Sequence, residues 1–174
     1  MRCFIGLNVT DATARRLRSL PMPAGVRPVP LADYHLTLAF LGDQNETGAK
    51  HLWPDLQAAV APLTPFTLTL ASVMAFPDHG GPIWAARALA EAPLLALHRA
   101  VRGVLDHAGV PAGQHDFAPH VTLGRGRAPL TATPLPGPWT MPVREVIFYE
   151  SPGAGQAYRP LAVFPLGAGH LHPA

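Results

Sequence analysis

Two stretches of this chain, YHLTLAFLG at residues 34–42 and FAPHVTLGR at residues 117–125, repeat one pattern: histidine, an apolar residue, threonine, leucine. In an extended strand residues i and i+2 share a face. Each stretch therefore predicts a strand with its histidine and threonine on one side and its aliphatic residues on the other. His35 and Thr37 project together, with Leu36 and Leu38 behind them; His120 and Thr122 do the same, with Val121 and Leu123 behind. Nine His and eleven Thr in 174 residues make a bare His-x-Thr expected about 0.6 times by composition, against about 0.04 for the fuller pattern. One copy is ordinarily a half-buried pair satisfying its backbone neighbours. Two copies in matching strands require a reason.

The remaining chain reads as alternating strands and helices. RCFIGLNV (2–9) predicts a strand; Thr10 or Asp11 then caps a short helix, ATARRLRSL, which the proline-rich stretch 21–30 ends. The first motif lies in a strand at about 33–41, ended by Gly42. Residues 46–61 look helical, with a kink or broken start at Pro54. FTLTLASVMAF (66–76) alternates at period two, and PDHGGP turns the chain into IWAARAL. The clearest helix spans 92–108, with Leu94, Leu97, Val101, Val104, Leu105 and Ala108 on one face and Gly109 at its end. The second motif strand covers 117–124. A proline-rich loop is expected over 128–142, then strands in REVIFYES and YRPLAVFPL. The tail from 167 to 174 carries no core signal. The order predicts an α+β fold: a single domain over 1–174, bilobal, with two antiparallel-sheet lobes and outer helices around a central cleft that both motif strands line.

Composition narrows the function classes. Hydrophobic residues at 48% and charged residues at 14% suit one well-buried core or two small lobes, not a disordered tail. Cys3 stands alone, so neither an internal disulfide nor a Cys-x-x-Cys zinc pair is available. The opening apolar run reaches polar residues too soon for a signal-peptide core, and no segment nears eighteen uninterrupted apolar residues. A cytoplasmic monomer with no membrane association is expected. A net charge of +2 and 7% aromatic residues argue against a general nucleic-acid coat or a turnover-free RNA-binding module. The cations are twelve Arg and one Lys; Arg suits bidentate phosphate contacts, but a base composition that favours Arg codons gives the same count, so only an arginine near a motif carries functional weight.

Two imidazoles and two hydroxyls converging on one surface have a chemical use. Around neutral pH one ring can be neutral and the other protonated. The neutral ring takes a proton from water and the charged one gives a proton to a leaving oxygen. Threonine hydroxyls can donate to the non-bridging oxygens of a phosphate, where charge accumulates during attack. Such a site needs no cofactor and no metal. Arg125, three residues beyond Thr122, can return to the same cleft if Gly124 lets the strand bend, and there clamp a phosphate. His98 and His107 belong to the surface or end of the long helix. His115 and Asp116 have no third partner at a supportive spacing for a metal site.

The paired segments HLTLAFLG and PHVTLGR resemble those of the two-histidine (2H) phosphoesterase superfamily, in its LigT-like branch of RNA 2′,3′-cyclic phosphodiesterases, also known as 2′-5′ RNA ligases. RCFIGLNV, GPIWAAR with Trp84, and FYESPGAGQAYRPL with Ser151 and Tyr158 resemble further segments of that branch. The resemblance implies that His35 donates a proton to the leaving ribose oxygen and that His120 accepts one from water. It implies that Thr37, Thr122 and Arg125 bind the phosphate. The substrate implied is RNA ending in a 2′,3′-cyclic phosphate, or a related small cyclic nucleotide, opened to a 2′-phosphomonoester. Relatives often have an aromatic residue shortly before the first motif; this chain has RPVPLADY there. Two alternatives remain: 2′-5′ ligation as the reverse of the same chemistry, and a non-catalytic module that binds RNA ends. A nucleotide-dependent ligase would need Lys-x-Asp-Gly, and the sole lysine, Lys50, sits in AKHLWPD.

Overall fold

The computed structural model describes residues 1–77, 81–113, 116–153 and 155–167. The opening apolar run forms strand β1 (Arg2–Asn8), followed by helix α1 (Asp11–Arg18), which buries Ala14 and Leu17. Thr10 is the residue before α1, and its hydroxyl bonds that of Thr13 rather than a backbone N–H. From the proline-rich stretch come a short strand, β2 (Val26–Pro28), and a single 3-10 turn (Leu31–Asp33). The first motif opens β3 (His35–Asp43). In helix α2 (Glu46–Val60) the Asn45 side chain caps the Gly48 N–H at 2.6 Å. Pro54 lies inside α2 and forfeits one helical hydrogen bond. The helix continues past it because Ala49, Leu52, Leu56 and Val60 stay buried on one face.

Beyond α2 come β4 (Phe66–Phe76), β5 (Ile83–Ala88), α3 (Ala92–His107) and β6 (His120–Gly126), the strand of the second motif. Then follow β7 (Thr133–Val143), β8 (Glu145–Ser151) and β9 (Arg159–Pro165). In α3 the expected face buries Leu94, Leu97, Val101 and Leu105, while Ala108 is left exposed beyond the helix end. Residues 168–174 of the expected tail, part of the 77–82 turn and His115 lie outside the described residues.

All strands pair antiparallel, in the order β7-β4-β5-β6-β3-β1-β8-β9, with β2 also on β6. The α+β expectation therefore holds, and the two lobes share one sheet. One lobe is β7-β4-β5-β6 and the other β3-β1-β8-β9. They meet at a narrow seam between β3 and β6, where Leu36 faces Val121, both fully buried. The units β1-α1-β3 and β5-α3-β6 each join two antiparallel neighbours through a helix. Helices α2 and α3 pack on each other, α3 also against β3 and α2 against β9. The core cluster joins Leu36, Leu38, Val121 and Leu123 with Leu52, Leu56, Leu97 and Val101. Burying each large aliphatic side chain contributes about 1.5–3 kcal/mol. The motif strands are thus fixed from behind, and their histidine faces stay open.

One expectation fails. Residues 133–143 are not loop but strand β7, paired along β4 despite Pro134, Pro136, Pro138 and Pro142. A β7 residue needs a donor on one side only, because β7 ends the sheet, and prolines are tolerated there. Trp139, Met141 and Val143, alternating and buried, were the available signal.

Candidate active site

The sequence brings its four motif side chains together through the register at the seam. Continuing the Leu36–Val121 pairing by one residue each way sets His35 across from Thr122, and Thr37 across from His120. All four share one face of the sheet. The two histidines are diagonal neighbours, for which strand geometry gives a separation of roughly 7–8 Å. Each histidine thus has a threonine from the other strand beside it as well as its own.

Arg125 reaches the same face by a bulge. Trp84 pairs with Gly124 but Ala85 with Thr122, so Leu123 is an extra residue in β6. Leu123 and Gly124 are both buried, and Arg125 returns to the exposed side. Strand β3 repeats the device: Ile5 pairs with Ala39 and Gly6 with Thr37, which passes over Leu38. Burial runs half-buried, buried, half-buried, buried, buried, exposed along both His35–Phe40 and His120–Arg125. Where the second strand presents Arg125, the first presents Phe40. Gly124 matters here because a Cβ would meet Val26 Cγ1 at 2.4 Å and the Arg27 carbonyl oxygen at 2.8 Å.

Both rings are oriented alike. His35 Nδ1 lies 2.7 Å from the Asp33 carbonyl oxygen, and His120 Nδ1 lies 2.7 Å from that of Ala118. A carbonyl only accepts, so Nδ1 carries the hydrogen in each ring and Nε2 is left to work. His35 Nε2 is 2.9 Å from Thr37 Oγ1, whose hydroxyl donates to the neutral ring. The environments then diverge. His35 touches three aromatic rings, with centroids 4.6 Å away for Phe4, 5.1 Å for Tyr158 and 6.1 Å for Tyr149. Burial among them pushes the His35 pKa below the ordinary 6.5. The charges of His120 and Arg125 act in the same direction, while the Asp33 carbonyl and carboxylate oppose them. Tyr149 is pushed up to about 12, chiefly by burial and further by Glu145, so it stays protonated at ordinary pH. His120 is stacked on Phe76 at 4.8 Å and 21°.

Phe4, Tyr149 and Phe76 were not anticipated as site residues. They lie on strands flanking the motif strands, and no spacing along the chain says which strands will be neighbours. Tyr158, singled out by resemblance alone, is tied to the site where its N–H donates to Asp33 Oδ1 at 3.2 Å. Ser151 ends β8, and Trp84 is a buried core residue. His98 is half-buried and stacks on Phe117 at 3.9 Å rather than standing in solvent. Among the described residues, no group of three or more His, Cys, Asp or Glu is arranged to hold a metal ion, and no helix is long and apolar enough to cross a membrane.

The antiparallel sheet with its outer helices is a fold that solved structures share. Escherichia coli LigT complexed with 3′-AMP superposes with a TM-score of 0.77 at 27% identity, over 95% of this chain and 97% of that one. The chain belongs to the 2′-5′ RNA ligase superfamily, which matches residues 9–152. It is 34% identical over 143 residues to an RNA 2′,3′-cyclic phosphodiesterase of Geobacillus stearothermophilus, and 35% identical over 120 residues to that of Thermus thermophilus. These alignments cover 77% and 63% of this chain. The chain spans 46% and 59% of the lengths of those two relatives.

Proposed function

We propose that this chain is a cytoplasmic, monomeric hydrolase that opens 2′,3′-cyclic phosphate ends of RNA to 2′-phosphomonoesters, with two histidines and no metal. The observation that carries this reading is the Leu36–Val121 pairing at the seam, which joins the two motif strands. Relatives named RNA 2′,3′-cyclic phosphodiesterase support the choice of substrate. In the reaction, His120 Nε2 takes a proton from water, and the oxygen attacks phosphorus. His35 Nε2 protonates the ribose O3′ as it leaves on the opposite side. Thr37 and Thr122 donate to the non-bridging oxygens, and Arg125 adds charge-assisted bonds to the same phosphate.

Burial holds the His35 pKa below its ordinary value, yet the proposed role requires the ring charged. A phosphate monoanion resolves this. Its negative charge, brought against the ring, favours the protonated form and offsets the cost of burial. It also draws the Thr37 hydroxyl from Nε2 towards a phosphate oxygen. Substrate binding itself thus arms the acid.

The test is incubation with a short RNA ending in 2′,3′-cyclic phosphate, with and without EDTA, and identification of the product. A 2′-phosphate formed equally in both conditions is expected. A 3′-phosphate would reverse the assignment of the leaving oxygen. Loss of activity in EDTA, restored by zinc or manganese, would refute the metal-free mechanism.

A further inference from the structure

Strand β6 is paired along both edges. On one edge runs β5; on the other lie β3, which meets β6 at Val121, and β2, which pairs with Gly124–Gly126. On the β5 side, next to His120, is a cavity of about 290 Å³ lined in part by Phe76 and Arg87. In the reaction proposed above, water attacks from that side. His35 belongs to the other edge, so the ribose bearing the cyclic phosphate, and the RNA chain behind it, lie on the side of β3 and β2.

On that side Arg27 of β2 is the direct cross-strand partner of Arg125. Its neighbour Val26 is buried in the core, and Val26 Cγ1 is the atom that a Cβ on Gly124 would meet. Alternation along β2 therefore turns Arg27 to the opposite face, the one that carries Arg125 and the histidines. Arg27 and Arg125 are both exposed. Among the described residues, no hydrogen bond or ion pair holds the Arg27 side chain. Like charges directly opposite each other across two strands are destabilising. Anions bound along the pair remove that cost, and the planar guanidinium fork matches phosphate geometry. With the cyclic phosphate on Thr37, Thr122 and Arg125, Arg27 stands outward of it on the ribose side. The next anionic group of an RNA end is the phosphodiester on the 5′ oxygen of that ribose.

We propose that Arg27 binds the phosphodiester on the 5′ side of the terminal nucleotide, so that the site selects an RNA end over a cyclic mononucleotide. The inference rests on the hydrolase reading and extends it from the reacting phosphate to the chain that carries it. No bond is made or broken at Arg27. The contact is present before and during the reaction alike, so it acts on KM and leaves kcat unchanged.

The experiment compares three substrates ending in 2′,3′-cyclic phosphate: a mononucleoside with a free 5′-OH, a dinucleotide, and the same dinucleotide with a neutral methylphosphonate in place of its diester. In the wild type, KM for the dinucleotide should be about tenfold below that for its methylphosphonate analogue, the order expected for one charge-assisted hydrogen bond. Arg27→Met should abolish that difference. The variant should still hydrolyse the mononucleoside, which lacks the diester, within about twofold of the wild type, and this reports an intact fold. For the dinucleotide, the fall of log(kcat/KM) with log[salt] should become shallower by about 0.7, the value for one phosphate contact on a single strand. Arg87→Met, an exposed arginine on the water side, should keep the difference between diester and methylphosphonate. The site is refuted if the wild type does not distinguish those two substrates, or if Arg27→Met still does. Loss of mononucleoside hydrolysis in step with the dinucleotide also refutes it, as does an equal effect of Arg87→Met, which would mean a general field and not a contact. A wild type that hydrolyses none of the three overturns the hydrolase reading itself.

Discussion

Gly124→Ala probes the link between strand packing and the phosphate site. The added methyl would lie 2.4 Å from Val26 Cγ1, 2.8 Å from the Arg27 carbonyl oxygen and 3.2 Å from Met22 Sδ. The methionine can swing aside. The carbonyl cannot, because it belongs to β2, which pairs with β6 through only Val26, Arg27 and Pro28. Relief therefore needs β2 to move by several tenths of an ångström or the bulge in β6 to rearrange. Overpacking of this kind costs about 1–3 kcal/mol. At about 2–4 °C per kcal/mol for a chain of this size, the melting temperature should fall by roughly 2–12 °C. Either route shifts Arg125, the next residue, so kcat/KM on a cyclic-phosphate RNA should fall by at least about tenfold. Gly103→Ala is the control. Gly103 is an exposed glycine inside α3 with nothing within 4 Å of the added Cβ, so this change should stabilise by about 0.4–1 kcal/mol with activity intact. Calorimetry and steady-state kinetics on both variants decide the matter. If Gly124→Ala melts as high as Gly103→Ala and keeps full activity, the close approach at the bulge has no role in positioning Arg125.

Further outcomes follow from the same geometry. His35→Ala and His120→Ala should each lower kcat by about 10²-fold or more, and the double variant far less than the product of the two, because the rings act as a unit. On a substrate whose leaving group needs no proton, His35→Ala should be largely rescued and His120→Ala should stay slow; rescue of the other variant would reverse the roles. Binding of inorganic phosphate should raise the His35 pKa, followed by the NMR shift of its ring protons against pH; an unchanged or lowered value would contradict phosphate contact. The folded His35 titrates below its unfolded value of 6.5, so the unfolded chain binds the extra proton. Its contribution to stability is therefore present above pH 6.5 and is lost as pH falls towards the folded value. Urea unfolding at several pH values should show that loss, reduced in His35→Gln; an equal slope in the variant would refute the linkage.

The chain's one-dimensional pattern determined more of the site than of its surroundings. Period-two alternation committed 35–38 and 120–123 to strands and chose which side chains share a face, since side-chain direction in a strand is a local property. The same locality made α3 legible from its apolar face. It failed at 133–143, where the prolines spoke for a loop. Their cost depends on whether a residue has strand neighbours on both sides, which is not written locally. The bulges that carry Arg125 and Phe40 back to the site face likewise arise from pairing with β5 and β1. That the two motif strands meet was decided by the Leu36–Val121 contact, between residues 85 positions apart in the chain. Burial among Phe4, Tyr149 and Tyr158, which depresses the pKa of His35, is a property of strands assembled from both ends of the sequence. Residue type and alternation set which groups could act. Tertiary structure alone set their distances, their solvation and the open space beside His120, because desolvation and cross-strand contact belong to neighbours in space.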